Sequence, residues 1–430
     1  MIRFKNARIM TLAGDNPFKI TEGEVWTDGD RISFVGTPTD EQLKNTQFER
    51  EICVMKNLLM PSFKNAHTHS AMTFLRSYAD DLPLQKWLFD KVFPLEAKLT
   101  GEDVYWFASL ANLEYLTSGI TASFDMYFML DDYVKACMDT GFRSVLCGSV
   151  SGGAERSFEL EENYNKYNNT YPLISYRLGF HAEYTCERGL LENIGKLAEK
   201  YKAPVYTHNS ETAKEVNDCI EKYGMTPTAL FDSLGIYNYG GAGFHCVHMT
   251  EQDLDIFKKR GAYIVHNPGS NSKLASGIAD IKAIKEKGIG IALGTDGPAS
   301  NNALDMFREM YLMSVLNKLR ENDAAACDAN DVLYAATVGG AKAMGLDDCD
   351  TLEVGKQADL IILDLKQPNM QPINNIAKNI VYSGSKSNVK LTMCAGKVLY
   401  ENGGFTSADA QEIYKNVQKR AERIQSEVSG

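Results

Sequence analysis

Eight short apolar runs, each followed by a longer stretch with helical patterning, fill the middle of this chain. They are LLMPSFKNAHTH, GITASFDM, FRSVLCGS, SYRLGFHA, APVYTH, AGFHCVH, AYIVHN and GIGIALGTD. Strands alternating with helices pair in parallel, because each helix returns the chain to the same end of the sheet, and eight such units match a closed (β/α)8 barrel. An open, doubly wound sheet is the rival, but it usually carries a Gly-rich phosphate turn after its first strand. Here the nearest match, GSVSGG, follows the third run. A barrel takes up about 250 residues of the 430 in the chain, so something else is built from the two ends.

Those ends share one character. IRFKNARIMTL and GEVWTDGDRISFVG at the start, and TLEVGKQADLIILDL and VKLTMCAGKVLYENG (351–365 and 389–403) near the finish, are short β-rich runs broken by Gly or Asp turns, with Asp28-Gly29 as a hairpin turn. The expected organisation is an α/β chain: a (β/α)8 TIM barrel over 58–348, and a small composite β-sandwich domain from 1–57 and 349–404. A C-terminal segment over 405–430 closes the chain, with residues 409–426 reading as a polar helix.

Charge and cysteine content narrow the function. The formal net charge is −11, with acidic and basic residues interspersed. A nucleic-acid partner would need a basic stripe, and none is visible. No apolar run approaches the roughly 20 residues that cross a bilayer, so no membrane partner is expected. MIRFKNARIM has no apolar core with a small-residue cleavage site, so no secretory signal is expected either. The nine cysteines are scattered and form no CxxC, which argues against a disulfide framework and a thiolate zinc cluster. The expected compartment is the cytoplasm. Barrel enzymes of this size often self-associate, so a homo-oligomer is expected, and the apolar helix ALDMFREMYLMSVL (303–316) serves as core or interface.

The most informative feature is where the histidines fall. All seven (His67, His69, His181, His208, His245, His248 and His266) lie at or just past the ends of the apolar runs, as do Asp125 and Asp296. Barrel enzymes build their active sites at the C-terminal ends of several strands at once. His67 and His69 are two residues apart, so on a strand both imidazoles face one side and can share a divalent ion. Alone, an HxH pair is more often ordinary packing. His208 can complete a metal set, and Glu211, three residues on, reaches past the metal toward a substrate; alone it reads as a surface glutamate opening a helix. His245 sits on its strand and is assigned to the site, while His248 and His266 are assigned to hydrogen-bonded scaffolding. Asp296, in Gly-Thr-Asp-Gly, is placed to touch a metal and to accept a proton from its water, a role compatible with an Asp-Gly turn. A divalent ion with open coordination lowers the pKa of water from about 15.7 to near 7. Asp296 and His245 can take that proton, and Glu211 can protonate a ring nitrogen of the substrate.

HTH at the first strand, a lone His at the fifth, HCVH at the sixth and GTD at the eighth resemble the amidohydrolase superfamily, and TLEVGKQADLIILD is similar to its composite β-domain. Members with a Lys on the fourth strand carbamylate it and hold two metals. SYRLGFHA has none, which implies one divalent metal ion, zinc or else iron. Within the superfamily, NAHTHSAMTFLRSYADDLPLQKWLFDKVFPLEAKLT, HNSET, VHNPGSNSKLASGIADI and LGTDGPASNNALDMF are similar to the 5′-methylthioadenosine/S-adenosylhomocysteine deaminases. The resemblance implies His67, His69, His208 and Asp296 as metal ligands and Glu211 and His245 as proton carriers. It also puts Trp87 beside the substrate, Glu96 on the ribose hydroxyls and His181 on the purine side.

The expected reaction is metal-dependent hydrolytic deamination of an adenine nucleoside to the inosine analogue and ammonia. The family holds a homocysteine carboxylate with arginines after the third strand. Here GSVSGGAERSFELEEN offers only Arg156, among Glu155, Glu159, Glu161 and Glu162. Adenosine, 5′-deoxyadenosine and 5′-methylthioadenosine are therefore expected ahead of S-adenosylhomocysteine. The alternative is a sister hydrolase acting on guanine, another aminopurine or pterin, or a chloro-triazine. A non-catalytic barrel is disfavoured by the presence of both Glu211 and Asp296. The HxE…PCxxC signature of cytidine-deaminase zinc sites is absent.

Overall fold

The computed structural model describes residues 1–82, 84–168 and 170–429. At its centre lie eight parallel strands: Phe63–Thr68, Ile120–Tyr127, Arg143–Gly148, Ile174–Gly179, Val205–Asn209, Gly241–His245, Tyr263–His266 and Ile291–Leu293. Each pairs with the next. The first and last meet through Asn65, whose Oδ1 accepts from Thr295 N at 2.8 Å and whose Nδ2 donates to Thr295 Oγ1 at 2.7 Å. Asp296 N also donates to His67 O at 3.0 Å. The (β/α)8 barrel implied by the strand-helix alternation is the one formed.

The period of two along each strand divides the side chains. Phe124 and Met126 join Val145, Tyr206, Phe244 and Val265 in one buried cluster, while Ser123 and Asp125, at the alternate positions, turn to the Tyr133 hydroxyl, at 3.3 and 2.9 Å. Thr100, Thr212 and Thr250 start the helices Gly101–Thr117, Ala213–Tyr223 and Glu251–Arg260 with capping boxes to Asp103, Glu215 and Asp253. No helix among the described residues is long and apolar enough to cross a membrane.

The chain ends build one composite domain. Ile2–Met10, Ile20–Asp28, Arg31–Gly36, Arg50–Cys53 and Leu58–Pro61 join Leu360–Leu363, Val389–Cys394, Lys397–Glu401 and Gly404–Phe405 in a mixed nine-stranded sheet. It packs about Phe4, Val25, Ile32, Leu59, Leu360 and Ile362. The hairpin turn at Gly29 is present, with φ +57°. The helix Ala410–Ser429 lies against Gly101–Thr117, where Arg420 and Arg423 donate to the two Asp103 oxygens at 3.0 and 2.6 Å.

One run departs from its expected role. LLMPSFKNAHTH breaks at Ser62 and serves two sheets. Leu58–Pro61 pairs antiparallel with Leu360–Leu363 and parallel with Ile2–Met10, and only Phe63–Thr68 enters the barrel. The strand Leu58–Pro61 thus belongs to the terminal sheet, on the other side of the boundary drawn at 57/58. Ser62 is where the chain changes partner: Ser62 N donates to Asp359 O and Phe63 N to Gly119 O.

A buried charge cluster joins the sheet to the barrel beside that crossing. Lys64, Asp359 and Arg143 are 0%, 1% and 5% exposed. Arg143 Nη2 donates to Asp359 Oδ1 at 3.0 Å. Lys64 Nζ bonds Ser62 Oγ at 2.6 Å and Thr121 Oγ1 at 3.0 Å, and lies 3.5 Å from Asp359 Oδ2. Burial opposes the Asp359 charge, but Arg143 and Lys64 outweigh it and hold the carboxyl well below its usual range. Its stabilisation is present above the unfolded carboxyl pKa, about 3.9, and is lost as pH falls toward the depressed folded value. Asp359→Ala leaves two buried cations unpaired. It is expected to cost about 3–5 kcal/mol in denaturant unfolding at pH 7, with a smaller penalty at pH 2–3 than at pH 7. An unchanged denaturation midpoint at pH 7 would contradict the assignment.

Candidate active site

The strand-end residues converge. His67 lies at the top of the first barrel strand, fully buried, with its ring stacked on Phe244 at a centroid distance of 3.8 Å. Neither of its ring nitrogens has a hydrogen-bond partner. His69 follows just past the strand, with Nδ1 on the Met126 carbonyl oxygen at 2.7 Å. His208 ends the fifth strand, with Nδ1 on the His181 carbonyl oxygen at 2.6 Å. Both bonds commit Nδ1 and leave Nε2 free. The centroid of His67 lies 4.9 Å from those of both His69 and His208.

Asp296 completes the set. Its Oδ1 sits 3.5 Å from His67 Nε2 and 3.4 Å from His69 Nε2. Its Oδ2 accepts from Ser270 Oγ at 2.6 Å and Ser300 Oγ at 2.9 Å. The backbone here is left-handed, with φ +57° at Asp296, so the chain turns sharply off the strand and brings the carboxylate inward. A Cβ at Gly294 would come 2.8 Å from both the His67 Cβ and backbone nitrogen. That glycine therefore admits the first strand's histidine.

Ligand atoms of His67, His69 and Asp296 lie within 4.8 Å of one another, as do those of His67, His208 and His245. Burial lowers the His67 pKa to about 3 and that of His208 well below its usual value, so both rings are neutral donors. Burial opposes the charge of Asp296, but the surrounding imidazoles hold it ionised. Imidazole nitrogens from His67, His69 and His208 with one carboxylate suit a divalent ion of the zinc type, and the orphaned nitrogens of His67 are open to it.

Two proton carriers face this set. His245, with φ +69°, places Nδ1 2.7 Å from Asn271 Oδ1 and Nε2 3.9 Å from Asp296 Oδ2. Burial works against its charge, and Glu211 and Asp296 more than offset that, raising its pKa. Glu211 is also buried, accepts from Ser276 Oγ at 3.2 Å and lies 3.9 Å from His245 Nδ1. Burial raises its pKa, so its carboxyl keeps a proton to higher pH than usual. The loop carrying it is fixed by Glu215, which accepts from the backbone N–H groups of Ser210, Glu211 and Thr212.

These groups open onto a cavity lined also by Trp87, Glu96, Tyr127, His181, Leu88 and Phe93. Glu96 accepts from the Tyr127 hydroxyl at 2.8 Å, and burial pushes its pKa up to about 7. His181 bonds Thr185 Oγ1 at 3.2 Å and is lowered to about 4 by burial.

Arg156 does not line this cavity. It faces the neighbouring groove, which shares Tyr127, Phe128 and Ser149 with it, and its guanidinium is taken by Glu159, three residues away on the chain. His266 also differs from expectation: neither of its nitrogens has a hydrogen-bond partner, and burial lowers it to about 3, so it is a packed neutral ring. His248 bonds the Ser276 carbonyl oxygen at 2.8 Å, as a scaffold residue should. The sequence reading passed over Ser270, Asn271, Ser276, Ser300 and Glu215. The only hint was the run of small polar residues straight after the strands.

Because an ion would satisfy one of the orphaned His67 nitrogens, zinc added to metal-free protein is expected to raise its Tm, by the equivalent of about 2.7 kcal/mol at a hundredfold excess over Kd. His67→Ala should abolish that shift in a thermal melt. A full zinc shift in the variant would contradict the assignment.

The fold has known counterparts. The amidohydrolase family profile matches residues 58–399. The chain is 38% identical to a 5-methylthioadenosine/S-adenosylhomocysteine deaminase of Caldanaerobacter subterraneus, covering 99% of both chains. It is 39% identical to a 5′-deoxyadenosine deaminase of Methanopyrus kandleri, over 92% of this chain and 93% of that one. The crystal structure of an adenosine deaminase from Xanthomonas campestris with bound zinc superimposes with a TM-score of 0.92 at 33% identity, covering 99% of this chain and 98% of that chain. With the family profile matching most of the chain and a relative 38% identical over nearly its whole length, the chain belongs to the amidohydrolase family.

Proposed function

We propose that this protein hydrolytically deaminates adenine nucleosides, replacing the C6 amino group by oxygen and releasing ammonia. The observation that carries the reading is one cavity holding a metal-competent His/Asp set opposite two buried proton carriers, Glu211 and His245. The names of the relatives at 38% and 39% identity support the substrate class.

His67, His69, His208 and Asp296 would hold one divalent ion, zinc by its chemistry and by the zinc-bound neighbour. When bound, the ion supplies the Lewis acidity that makes a water nucleophilic near neutral pH. The side chains do the rest. Anchored on Asn271 through Nδ1, His245 keeps Nε2 to take a proton, facing Asp296 Oδ2. Burial raises the Glu211 pKa, which suits its carboxyl to take up a proton and deliver it to the purine ring nitrogen beside the reacting carbon. The Trp87 ring offers an apolar face to the flat base, Glu96 takes the ribose hydroxyls and His181 borders the purine. Glu96 and Trp87 favour a ribose-bearing substrate over a free guanine, a pterin or a triazine.

Charge narrows the substrate further. The cavity lining includes Glu96, Glu211 and Asp296 and, among the described residues, no Lys or Arg. Arg156 is committed to Glu159 outside it. Nucleotides and substrates with a carboxylate at the 5′ end meet no free cation there. The same reading takes the protein to be a cytoplasmic homo-oligomer without a nucleic-acid partner. Nine cysteines without a disulfide support a reducing compartment, and the exposed Tyr311 and Leu319 on the helix Met306–Glu321 offer apolar surface for self-association.

Zinc-loaded protein is expected to release ammonia from adenosine, 5′-deoxyadenosine and 5′-methylthioadenosine with a kcat/KM at least tenfold above that for S-adenosylhomocysteine, and to leave adenosine monophosphate untouched. Equal turnover of free adenine would overturn the nucleoside reading, and preference for S-adenosylhomocysteine would overturn the charge argument. Glu211→Gln should lower kcat by about 10²–10⁴ with little change in KM; wild-type kcat would remove Glu211 from the mechanism.

A further inference from the structure

Glu309 lies on the helix Met306–Glu321, outside the cavity, and is 0% exposed. Its two oxygens are taken by two different segments. Gly269 N, in the first turn of the short helix Pro268–Lys273 that follows the seventh barrel strand, donates to Oε2 at 2.8 Å. Asn301 Nδ2, in the loop after the eighth, donates to Oε1 at 2.7 Å. A fully buried carboxyl without a cationic partner is costly to keep.

Each tie sits next to a residue that touches the site. Ser270, beside Gly269, donates to Asp296 Oδ2 at 2.6 Å, and Asn271 holds His245 Nδ1 at 2.7 Å. Ser300, beside Asn301, donates to the same Asp296 oxygen at 2.9 Å, and Asn301 Nδ2 also reaches the Thr295 carbonyl oxygen at 2.8 Å. The approach is close: a Cβ on Gly269 would come 2.5 Å from Glu309 Oε1.

We infer that Glu309 is a positioning residue that clamps the short helix Pro268–Lys273 and the loop after the eighth strand together, so that Ser270 and Ser300 aim the Asp296 carboxylate at the metal set while Asn271 fixes His245. A glutamine there has one acceptor oxygen for two N–H donors, and its amide N–H₂ must face one of them. One of the two segments is then released. Because Asp296 is the common endpoint, the loss falls on metal affinity and on the chemical step more than on substrate binding.

The test is a set of variants: Glu309→Gln, the pair Ser270→Ala with Ser300→Ala, and all three changes together. Zinc Kd is measured by chelator competition, and kcat and KM on the nucleoside that the wild type turns over. Glu309→Gln is expected to weaken zinc binding and lower kcat, each by about tenfold or more, with KM within twofold. In the background lacking both serines, its further effect on zinc Kd should shrink below threefold, since the clamp then has nothing to transmit. Wild-type zinc affinity in Glu309→Gln, or losses that simply multiply with those of the serine pair, would overturn the inference. If Glu309→Gln does not fold, Asn301→Ala removes one tie and should weaken zinc binding in the same direction; unchanged affinity would overturn the clamp. The kinetic arm rests on the deaminase reading and the zinc arm does not. Zinc binding without nucleoside turnover in the wild type would therefore refute that reading while the clamp is judged on affinity.

Discussion

A fully buried imidazole with two orphaned nitrogens sits where the first barrel strand ends, and the rest of the site is organised around it. His67 is pressed against Phe244 and surrounded by His69, His208 and Asp296. An unpaired polar group at that depth is destabilising unless something binds it, and a divalent ion is the partner that this donor set fits. The cost of the site is thus carried by the fold and recovered on metal binding. The barrel makes this possible because eight strands deliver side chains to one rim, and Asn65 stitches the first strand to the last there.

Holding the rim still falls to residues behind it. His69 and His208 are each fixed through Nδ1 by a backbone carbonyl, so the tautomer and direction of the free nitrogen are set by neighbouring strands. His245 and Asp296 leave their strands in left-handed backbone, an uncommon conformation for residues with a Cβ; Asn271 holds the first, and Ser270 and Ser300 hold the second. Glu215 does the same for the loop of Glu211. At the other end of the barrel, the Asp359 cluster couples the terminal sheet to the barrel wall.

What the sequence makes legible follows from contrast. A histidine or aspartate ending an apolar run stands out, so His67, His69, His208, His245 and Asp296 are visible one by one, and their order points to a barrel rim. Glu211 gains meaning only beside His208. The supporting groups are invisible for the opposite reason: Ser270, Ser300 and Asn271 look like any small polar loop, and Glu309 like a charged residue on an exposed helix face, until the fold buries it against two segments distant in sequence. The break at Ser62 is hidden because both halves of LLMPSFKNAHTH are buried, and period alone does not say which sheet a buried strand joins. His266 shows the limit of placement by strand end, since it packs as a neutral ring without hydrogen bonds. Arg156 lies in the expected loop, yet its side chain is captured by Glu159, a pairing that depends on the turn at Ala154–Arg156.

Anomalous X-ray diffraction at the zinc edge, from crystals grown with zinc, tests the central claim most directly. The account predicts a single strong peak at the barrel rim, within coordination distance of His67, His69 and His208 nitrogens and an Asp296 oxygen, with His245 Nδ1 still on Asn271. A second peak at the rim, a peak coordinated by His245 in place of His69 or Asp296, or no peak beside His67 would contradict it.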